Sequence, residues 1–456
     1  MPQRKSTGLA APADLNLKRK IQIACWYAAA RAAGALRPKW HRPPASQPPA
    51  AETGISVIIP SRNGKLLLEA QLPAIVQELE SFTAEIIVAD NGSDDGSADW
   101  LRAAWPQVSM EVSREPLSFA RAVNRGIARA RYSHICLLNN DMLLEPGFFA
   151  ALVRAFQQVP GLFCATAQIH FPEGARREET GKTVMAQPRP DDFPIRCDEP
   201  LPGEDLSYVL YGSGGCSLYD ASRLSALGGV DQAYEPAYVE DLDLGYRAWQ
   251  RGWPSVYVAG AVVEHRHRAT TSRYYTDAQL ERILEINYLK FLVRAVASGK
   301  LFRKLWRQAT LRLRLQAPAL LGTAVRIALR GGPPRVPECS EELILALNSG
   351  AVAVFPGHLI SGRPRALIVS PCLAAPSSAG FDPVLVAFTK RLATPQPEIL
   401  DTCVEVVLVL EESAPAAFRA ALHQTVRKWR PAVAQIEGTQ MVQYAADCAP
   451  ARTDLM

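Results

Sequence analysis

The chain has 456 residues, nearly half of them hydrophobic, and a net charge of +5, enough apolar material for two or three packed domains and too much for disorder. So small a positive excess does not point to nucleic acid. No apolar run reaches the roughly 18 to 20 residues that a bilayer span needs; residues 343–360 are interrupted by Asn348, Ser349, Pro356 and His358. Nine cysteines without a CxxC pair, and no secretory signal, predict reduced thiols in a cytoplasmic protein, with Cys136, Cys164 and Cys216 in the core.

Residues 18–36 alternate basic and apolar side chains at helical spacing, and Pro38, Pro43, Pro44, Pro48 and Pro49 then mark a stiff linker, so residues 1–53 read as a basic helix and linker. Ile55-Ser56-Val57-Ile58-Ile59 predicts a buried strand ending at Pro60, and residues 66–82 a helix. Glu85-Ile86-Ile87-Val88-Ala89 predicts a second buried strand, followed by helices at 98–105 and 119–130, a strand at 134–138 and a helix at 146–159. This βαβαβα order predicts an α/β domain over residues 54–275, its mostly parallel sheet joined by right-handed crossovers and flanked by helices.

Ligands of such sheets collect beyond the carboxyl ends of the strands, and three polar sites recur there. Asp90, just past the second strand, suits a carboxylate that accepts the imide N–H of a uracil or thymine ring, with the Asn91-Gly92 turn allowing close backbone approach. The same Asp90-Asn91-Gly92-Ser93 run also has the composition of a plain turn. Leu137-Leu138-Asn139-Asn140-Asp141 ends a strand in a carboxylate that can hold a divalent ion bridging the phosphates of a nucleotide diphosphate, or cap the next turn. In Tyr238-Val239-Glu240-Asp241-Leu242-Asp243 the acidic residues open a helix, where its dipole favours them. Two adjacent carboxylates beside the Gly-rich Tyr211-Gly212-Ser213-Gly214-Gly215 point further, to Asp241 as a general base that deprotonates an acceptor hydroxyl as it attacks a sugar's anomeric carbon. After a strand at 256–263, Glu264-His265-Arg266-His267 offers an imidazole to complete the coordination begun by Asp141, or, with Arg266 and Arg268, a basic patch for phosphates.

Together these residues resemble the family 2 glycosyltransferases of GT-A type, rhamnosyltransferase-like members in particular, over roughly residues 55–275. The matching elements are Val57-Ile58-Ile59-Pro60 with Asn63, Val88-Ala89-Asp90-Asn91-Gly92-Ser93-Asp94-Asp95-Gly96-Ser97, Asn124-Arg125-Gly126, Leu138-Asn139-Asn140-Asp141, Gly228-Gly229-Val230-Asp231, Glu240-Asp241-Leu242-Asp243-Leu244 and His265. The resemblance implies inverting transfer of a sugar, rhamnose among the candidates, from a UDP- or dTDP-linked donor to a glycan or lipid-linked acceptor in cell-surface polysaccharide synthesis. It implies Asp241 as catalytic base, donor contacts from Pro60, Arg62, Asn63, Asp90, Asn91, Asn124, Asn139 and Asn140, acceptor contacts from Glu240 and Gly214, and Mg2+ or Mn2+ on Asp141 and His265. The family's fuller pattern has a second carboxylate where Asn139 stands, so metal is expected to bind weakly until donor phosphates join it. Two other readings of the pattern are a scaffold that kept the fold without turnover, and a sugar-1-phosphate nucleotidyltransferase, whose phosphate-gripping loop is only faintly matched by Ser61-Arg62-Asn63-Gly64-Lys65.

Over residues 282–330 the basic side chains Arg282, Lys290, Arg294, Lys300, Arg303, Lys304, Arg307, Arg312, Arg314, Arg326 and Arg330 stand against Glu285 alone. Interleaved with Leu, Phe and Trp306, residues 276–335 predict either an amphipathic segment on the anionic inner face of the membrane, or helices packed on the catalytic domain with solvated basic faces. Within residues 336–456 a second α/β pattern follows: strand 366–370, helix 381–392, strand 404–410 and helix 416–429. Arg365-Ala366-Leu367-Ile368-Val369-Ser370-Pro371, Arg430-Pro431 and Gln435-Ile436-Glu437-Gly438 resemble the opening of a family 4 glycosyltransferase of GT-B type. That resemblance implies a partial Rossmann-like domain without the later half that holds the donor, hence no catalysis of its own and an open sheet edge.

Overall fold

The computed structural model describes residues 51–172, 179–185, 195–266, 274–330, 337–377, 379–413 and 415–448, with Ile21 and Cys25 besides. The rest of the expected N-terminal helix and its linker lie outside the described residues, as do His267 and Arg268.

Strand and helix alternate from the start: β1 (Glu52–Ser61), α1 (Lys65–Leu79), β2 (Ala84–Asn91), α2 (Ser97–Ala104), β3 (Ser109–Ser113), α3 (Phe119–Arg129) and β4 (Tyr132–Leu138). The apolar runs of β1, β2 and β4 are buried on both faces, as parallel strands between helical layers must be. Helix α1 seats Leu68, Leu72, Ile75 and Leu79 in the core along one stripe. Helix α3 is capped by the Ser118 hydroxyl, which accepts from the Arg121 N–H at 3.3 Å. The sequence reading missed β3, whose Ser109-Met110-Glu111-Val112-Ser113 carries too few apolar residues to announce a strand; it pairs along β2 at the sheet edge.

The domain continues through β5 (Met142–Leu144), α4 (Phe148–Gln158), β6 (Cys164–His170), the antiparallel pair β7 (Thr183–Met185) and β8 (Ile195–Cys197), β9 (Cys216–Asp220), α5 (Ala221–Ala226), α6 (Glu240–Trp249) and β10 (Ser255–His265). The eight-stranded sheet has the order β3-β2-β1-β4-β9-β6-β10-β5. Most neighbours are parallel; β9 is inserted antiparallel between β4 and β6, and β5 pairs antiparallel with β10. The β5–β10 register sets Met142 opposite His265, which brings the end of β10 onto the same rim as the end of β4.

Helices α7 (Asp277–Ala295), α8 (Gly299–Gln316), α9 (Pro318–Leu329) and α10 (Glu341–Leu347) follow. They pack on the catalytic domain and withdraw part of the expected basic surface. Phe302, Leu305, Trp306 and Leu313 of α8 point into the core. Arg312 is buried and forked onto Glu285, Nε to Oε1 at 3.0 Å and Nη2 to Oε2 at 2.7 Å. Arg294 pairs with Asp231 at 2.5 Å, and Lys290 donates to the Ala233 carbonyl at 2.8 Å. What stays exposed is Arg282 on α7, a stripe along α8 of Lys300, Arg303, Lys304, Arg307 and Arg314, and Arg326 and Arg330 on and beyond α9. Among the described residues no helix is long and apolar enough to cross a membrane.

A second sheet comprises β11 (Val352–Pro356), β12 (Arg365–Ser370), β13 (Asp382–Thr389), β14 (Glu405–Leu410) and β15 (Val433–Ile436), ordered β11-β14-β13-β12-β15, with α11 (Pro397–Leu400) and α12 (Pro415–Trp429) in its connections. The helix expected at 381–392 is strand β13. Its Pro383-Val384-Leu385-Val386-Ala387-Phe388 run is apolar at every position and rich in β-branched residues, the pattern of a strand buried on both faces, for which periodicity alone does not separate helix from strand. Strands β12 to β15 run parallel and β11 joins antiparallel. β15 pairs only with β12, leaving its outer edge without a strand partner among the described residues. One apolar core runs from α1 and α4 through α7 and α8 to α12, and the Asp205 N–H donates to the Val354 carbonyl at 3.1 Å across the junction.

Candidate functional site

Asp90 sits at the buried carboxyl end of β2, its Oδ1 without a hydrogen-bond partner among the described residues. A buried carboxylate oxygen left unpaired costs free energy unless a ligand donor reaches it. Around it the predicted polar residues hold loops together. Asn91 clasps Leu117 from both sides, donating to its carbonyl at 2.9 Å and accepting from its N–H at 2.5 Å. Asn63, at φ +51°, accepts from the Asp94 N–H at 2.8 Å while its own N–H donates to Ser93 Oγ at 2.9 Å. The Asn124 amide is committed to Val230, donating to its carbonyl at 2.7 Å and accepting from its N–H at 3.0 Å. Asn140 donates to Ser61 Oγ at 2.9 Å and presses on Gly64, where a Cβ would stand 2.2 Å from the amide nitrogen. Pro60 lies within β1, and the Arg62 guanidinium stacks 3.9 Å above the Tyr274 ring.

Asp141 follows the turn that leaves β4. Gln71, a buried amide on the core stripe of α1, donates to the carbonyls of Asn139 and Met142, at 2.6 Å each, and so fixes the turn's shape. Its place among Leu68, Leu72 and Ile75 was the sequence signal for this role, and the sequence reading passed over it. Asp141 Oδ2 lies 3.5 Å from His265 Nε2, and the Arg266 N–H donates to the Asp141 carbonyl at 2.9 Å. His265 Nδ1 meets Glu179 Oε2 at 2.8 Å. Burial disfavours the imidazolium, but the hydrogen bonds to Asp141 and Glu179 outweigh it and push the His265 pKa up to about 9. Asp141 Oδ1 is buried without a partner among the described residues. Among the described residues no three such groups come together as a metal site, but an acidic oxygen left open beside an imidazole is a donor set that could hold a divalent cation through two protein ligands.

Asp241 stands in the first turn of α6. The two residues before that helix, Tyr238 and Val239, have φ of +71° and +79°, a conformation that costs a bulky or β-branched residue roughly 1–3 kcal/mol. Asn287 of α7 holds this turn, its buried amide directed at the carbonyls of Tyr234 at 2.5 Å, Ala237 at 2.9 Å and Tyr238 at 3.1 Å. Burial pushes the Glu240 carboxyl up to about 8, and the Asp241 charge beside it adds to the rise. Burial also raises Asp241, to about 6, against the Leu242 and Gly214 N–H groups that stabilise its anion. Asp243 is spent structurally, accepting from the Tyr234 hydroxyl at 2.9 Å and from Arg247 Nε at 2.6 Å.

A cavity of about 330 Å3 joins these groups, at the lower end of the roughly 300–1,000 Å3 of small-ligand sites. Asn139, Asp141, Gly214, Glu240, Asp241 and His265 line it, as do Glu179 and the apolar Phe119, Leu280 and Leu284. Pro60, Arg62, Asn63, Asp90, Asn91, Asn124 and Asn140 lie outside its walls. In the Gly-rich segment, a Cβ at Gly215 would stand 2.5 Å from the Asn139 amide, whereas one at Gly214 would only reach ordinary contact, 3.7 Å from Asp241 Cβ and from the Phe119 ring.

Residues 51–281, half of the chain, match the family described as Glycosyltransferase like family 2. The chain is 30% identical over 212 residues to an N-acetylglucosaminyl-diphospho-decaprenol L-rhamnosyltransferase of Mycobacterium tuberculosis, covering 41% of this chain and 68% of that protein. It is 23% identical over 251 residues to the uncharacterized protein y4gI of Sinorhizobium fredii, covering 52% of this chain and spanning only 27% of that relative. Among solved structures it is similar to GalNAc-T7 with UDP, GalNAc and Mn2+, at 16% identity and a TM-score of 0.45, covering 64% of this chain and 58% of the other. With a mostly parallel sheet of GT-A type and the family pattern matched over half its length, the chain belongs to Glycosyltransferase like family 2 and is a glycosyltransferase.

Proposed function

We propose that the chain transfers a sugar, with inversion, from a UDP- or dTDP-linked donor to a hydroxyl of a glycan or lipid-linked acceptor. Rhamnose and a lipid-linked acceptor are the pair named in the M. tuberculosis relative, and they suit a cell-surface polysaccharide pathway. The observation that carries the reading is that Asp141, His265, Glu240 and Asp241 line one cavity. Asp241 takes the acceptor proton as the hydroxyl oxygen bonds to the anomeric carbon; the bond from that carbon to the phosphate oxygen breaks, its electron pair leaving with the nucleotide diphosphate. Asp141 and His265 would hold a Mg2+ or Mn2+ ion, whose positive charge would stabilise the departing diphosphate. Asp90 offers its unpaired oxygen to the imide of the base, and Glu240, protonated near neutrality, can donate to an acceptor oxygen.

Calorimetric titration of the full chain with UDP and dTDP, with and without Mn2+, tests this reading. Nucleotide binding should strengthen with Mn2+ in wild type, vanish in Asp90→Ala and lose its metal dependence in Asp141→Ala. Affinity that is the same with and without metal would remove Asp141 and His265 from the donor site.

The Asp241 role also sets the pH profile. A base with its pKa raised to about 6 is ionised above that pH, so kcat should be level near neutrality and fall about tenfold per unit as pH drops below 6. A kcat that stays level down to pH 5, measured at saturating donor, would exclude Asp241 as the base.

The basic stripe of α8 and α9 supports an electrostatic contact with the anionic inner face of a membrane, where a lipid-linked acceptor would be met.

A further inference from the structure

The carboxylate of Glu179 reaches into the cavity from a segment that carries no motif. Its placement is nevertheless firm. Gly181, two residues on, adopts φ +84° against β6, where a Cβ would stand 1.9 Å from the Ala167 carbonyl oxygen. The Thr180 carbonyl and hydroxyl are tied in as well: the Ile169 N–H donates to the carbonyl at 3.4 Å, and Oγ1 donates to the Asp198 carbonyl at 2.5 Å. Lys182 is buried in an ion pair with Glu204 at 2.5 Å. A carboxylate one residue from such an anchor is built into the site.

An imidazole binds a metal through a ring nitrogen that carries no proton, and which nitrogen that is depends on the hydrogen bond made by the other. Here Glu179 Oε2 stands 2.8 Å from Nδ1, while Nε2 points to Asp141 Oδ2 at 3.5 Å. A carboxylate only accepts, so a ring that gives up its Nε2 proton to a cation keeps its other proton on Nδ1, donated to Glu179. We propose that Glu179 is a positioning residue for the cation site: it holds His265 in the tautomer and orientation that present Nε2 beside Asp141. Glu179 thereby offsets the carboxylate missing at Asn139 by fixing the tautomer and orientation of the one imidazole instead of adding a ligand. This rests on the metal reading above.

The test is calorimetric titration of the full chain with Mn2+ in the presence of UDP or dTDP, comparing wild type, Glu179→Ala and Glu179→Gln, with nucleotide binding in EDTA as a parallel measurement. Loss of such a partner weakens metal binding by roughly 10–100-fold. Glu179→Ala should show that loss with nucleotide affinity in EDTA unchanged, and Glu179→Gln, whose amide oxygen still accepts from Nδ1–H, should recover most of it. Wild-type Mn2+ affinity in Glu179→Ala overturns the proposal, as does a Gln variant as weak as Ala, which would make Glu179 a ligand through its charge. Failure of wild type itself to bind Mn2+ with either nucleotide overturns the metal reading beneath it, and is seen before either variant is compared.

Discussion

Asp241→Asn should lower kcat by about 10^2–10^4-fold, the usual contribution of a positioned general base, while donor affinity in the presence of Mn2+ stays at the wild-type value. The substitution is isosteric. The Asn oxygen can still accept from the Leu242 N–H, which meets Asp241 Oδ1 at 2.8 Å, and from Gly214, so the first turn of α6 keeps its shape. What disappears is the acceptor for the hydroxyl proton. Glu240 is a poor replacement near neutral pH, because burial, the larger cause of its raised pKa, persists in the variant although the Asp241 charge is gone. Single-turnover transfer and nucleotide titration on the same preparation check the result. A parallel loss of donor binding would make Asp241 a donor ligand or a structural residue, and an unchanged kcat would move the base elsewhere in the cavity.

Glu285→Ala should destabilise the protein by about 3–5 kcal/mol, since it strands the buried Arg312 guanidinium without its counter-charge. Both side chains of the fork between α7 and α8 are buried, and Arg312 also lies 5.7 Å from the Tyr288 ring centroid, so the cation is poorly placed to be rehydrated. Replacing both partners together, Glu285→Leu with Arg312→Met, removes both desolvation costs and should restore most of the loss. Urea midpoints for the single and double variants measure this. A single variant as stable as wild type would mean that water reaches the pair.

Residue type told where the site would lie better than what each residue would do there. The strands that end at Asp90 and Leu138 were legible because parallel strands buried on both faces are written as continuous apolar runs. At β13 an equally apolar run has the same pattern yet also suits a buried helix, which is why a helix was expected there, and β3 escaped because an edge strand needs little apolar surface. Asn91, Asn124 and Asn140 illustrate a second limit. An amide at a strand end can reach a ligand or a neighbouring loop with the same two donors, and here Leu117, Val230 and Ser61 engage them. Gln71, Glu179 and Asn287 come from a helix stripe, a motif-free segment and a distant helix, and only the folded chain brings them to the turns they shape. Arg312 is the clearest case of charge misread as surface: its sequence neighbours are basic, but its spatial neighbour is Glu285.

The family pattern ends at residue 281, in the second turn of α7. Beyond that point the same helix sends Asn287, Lys290 and Arg294 back to Tyr234, Ala233 and Asp231, the stretch that leads into the Asp241 turn. Further on, Glu341 of α10 accepts from the Tyr246 hydroxyl and the Gln250 amide, both at 2.8 Å, and so braces α6 from its far end. The border of likeness thus falls in mid-helix, while the border of mechanics lies at least sixty residues later. The left-handed pair Tyr238–Val239 behaves as a sprung latch whose catch belongs to the far side of that border, and a fragment trimmed to the family's limits would keep the spring and lose the catch.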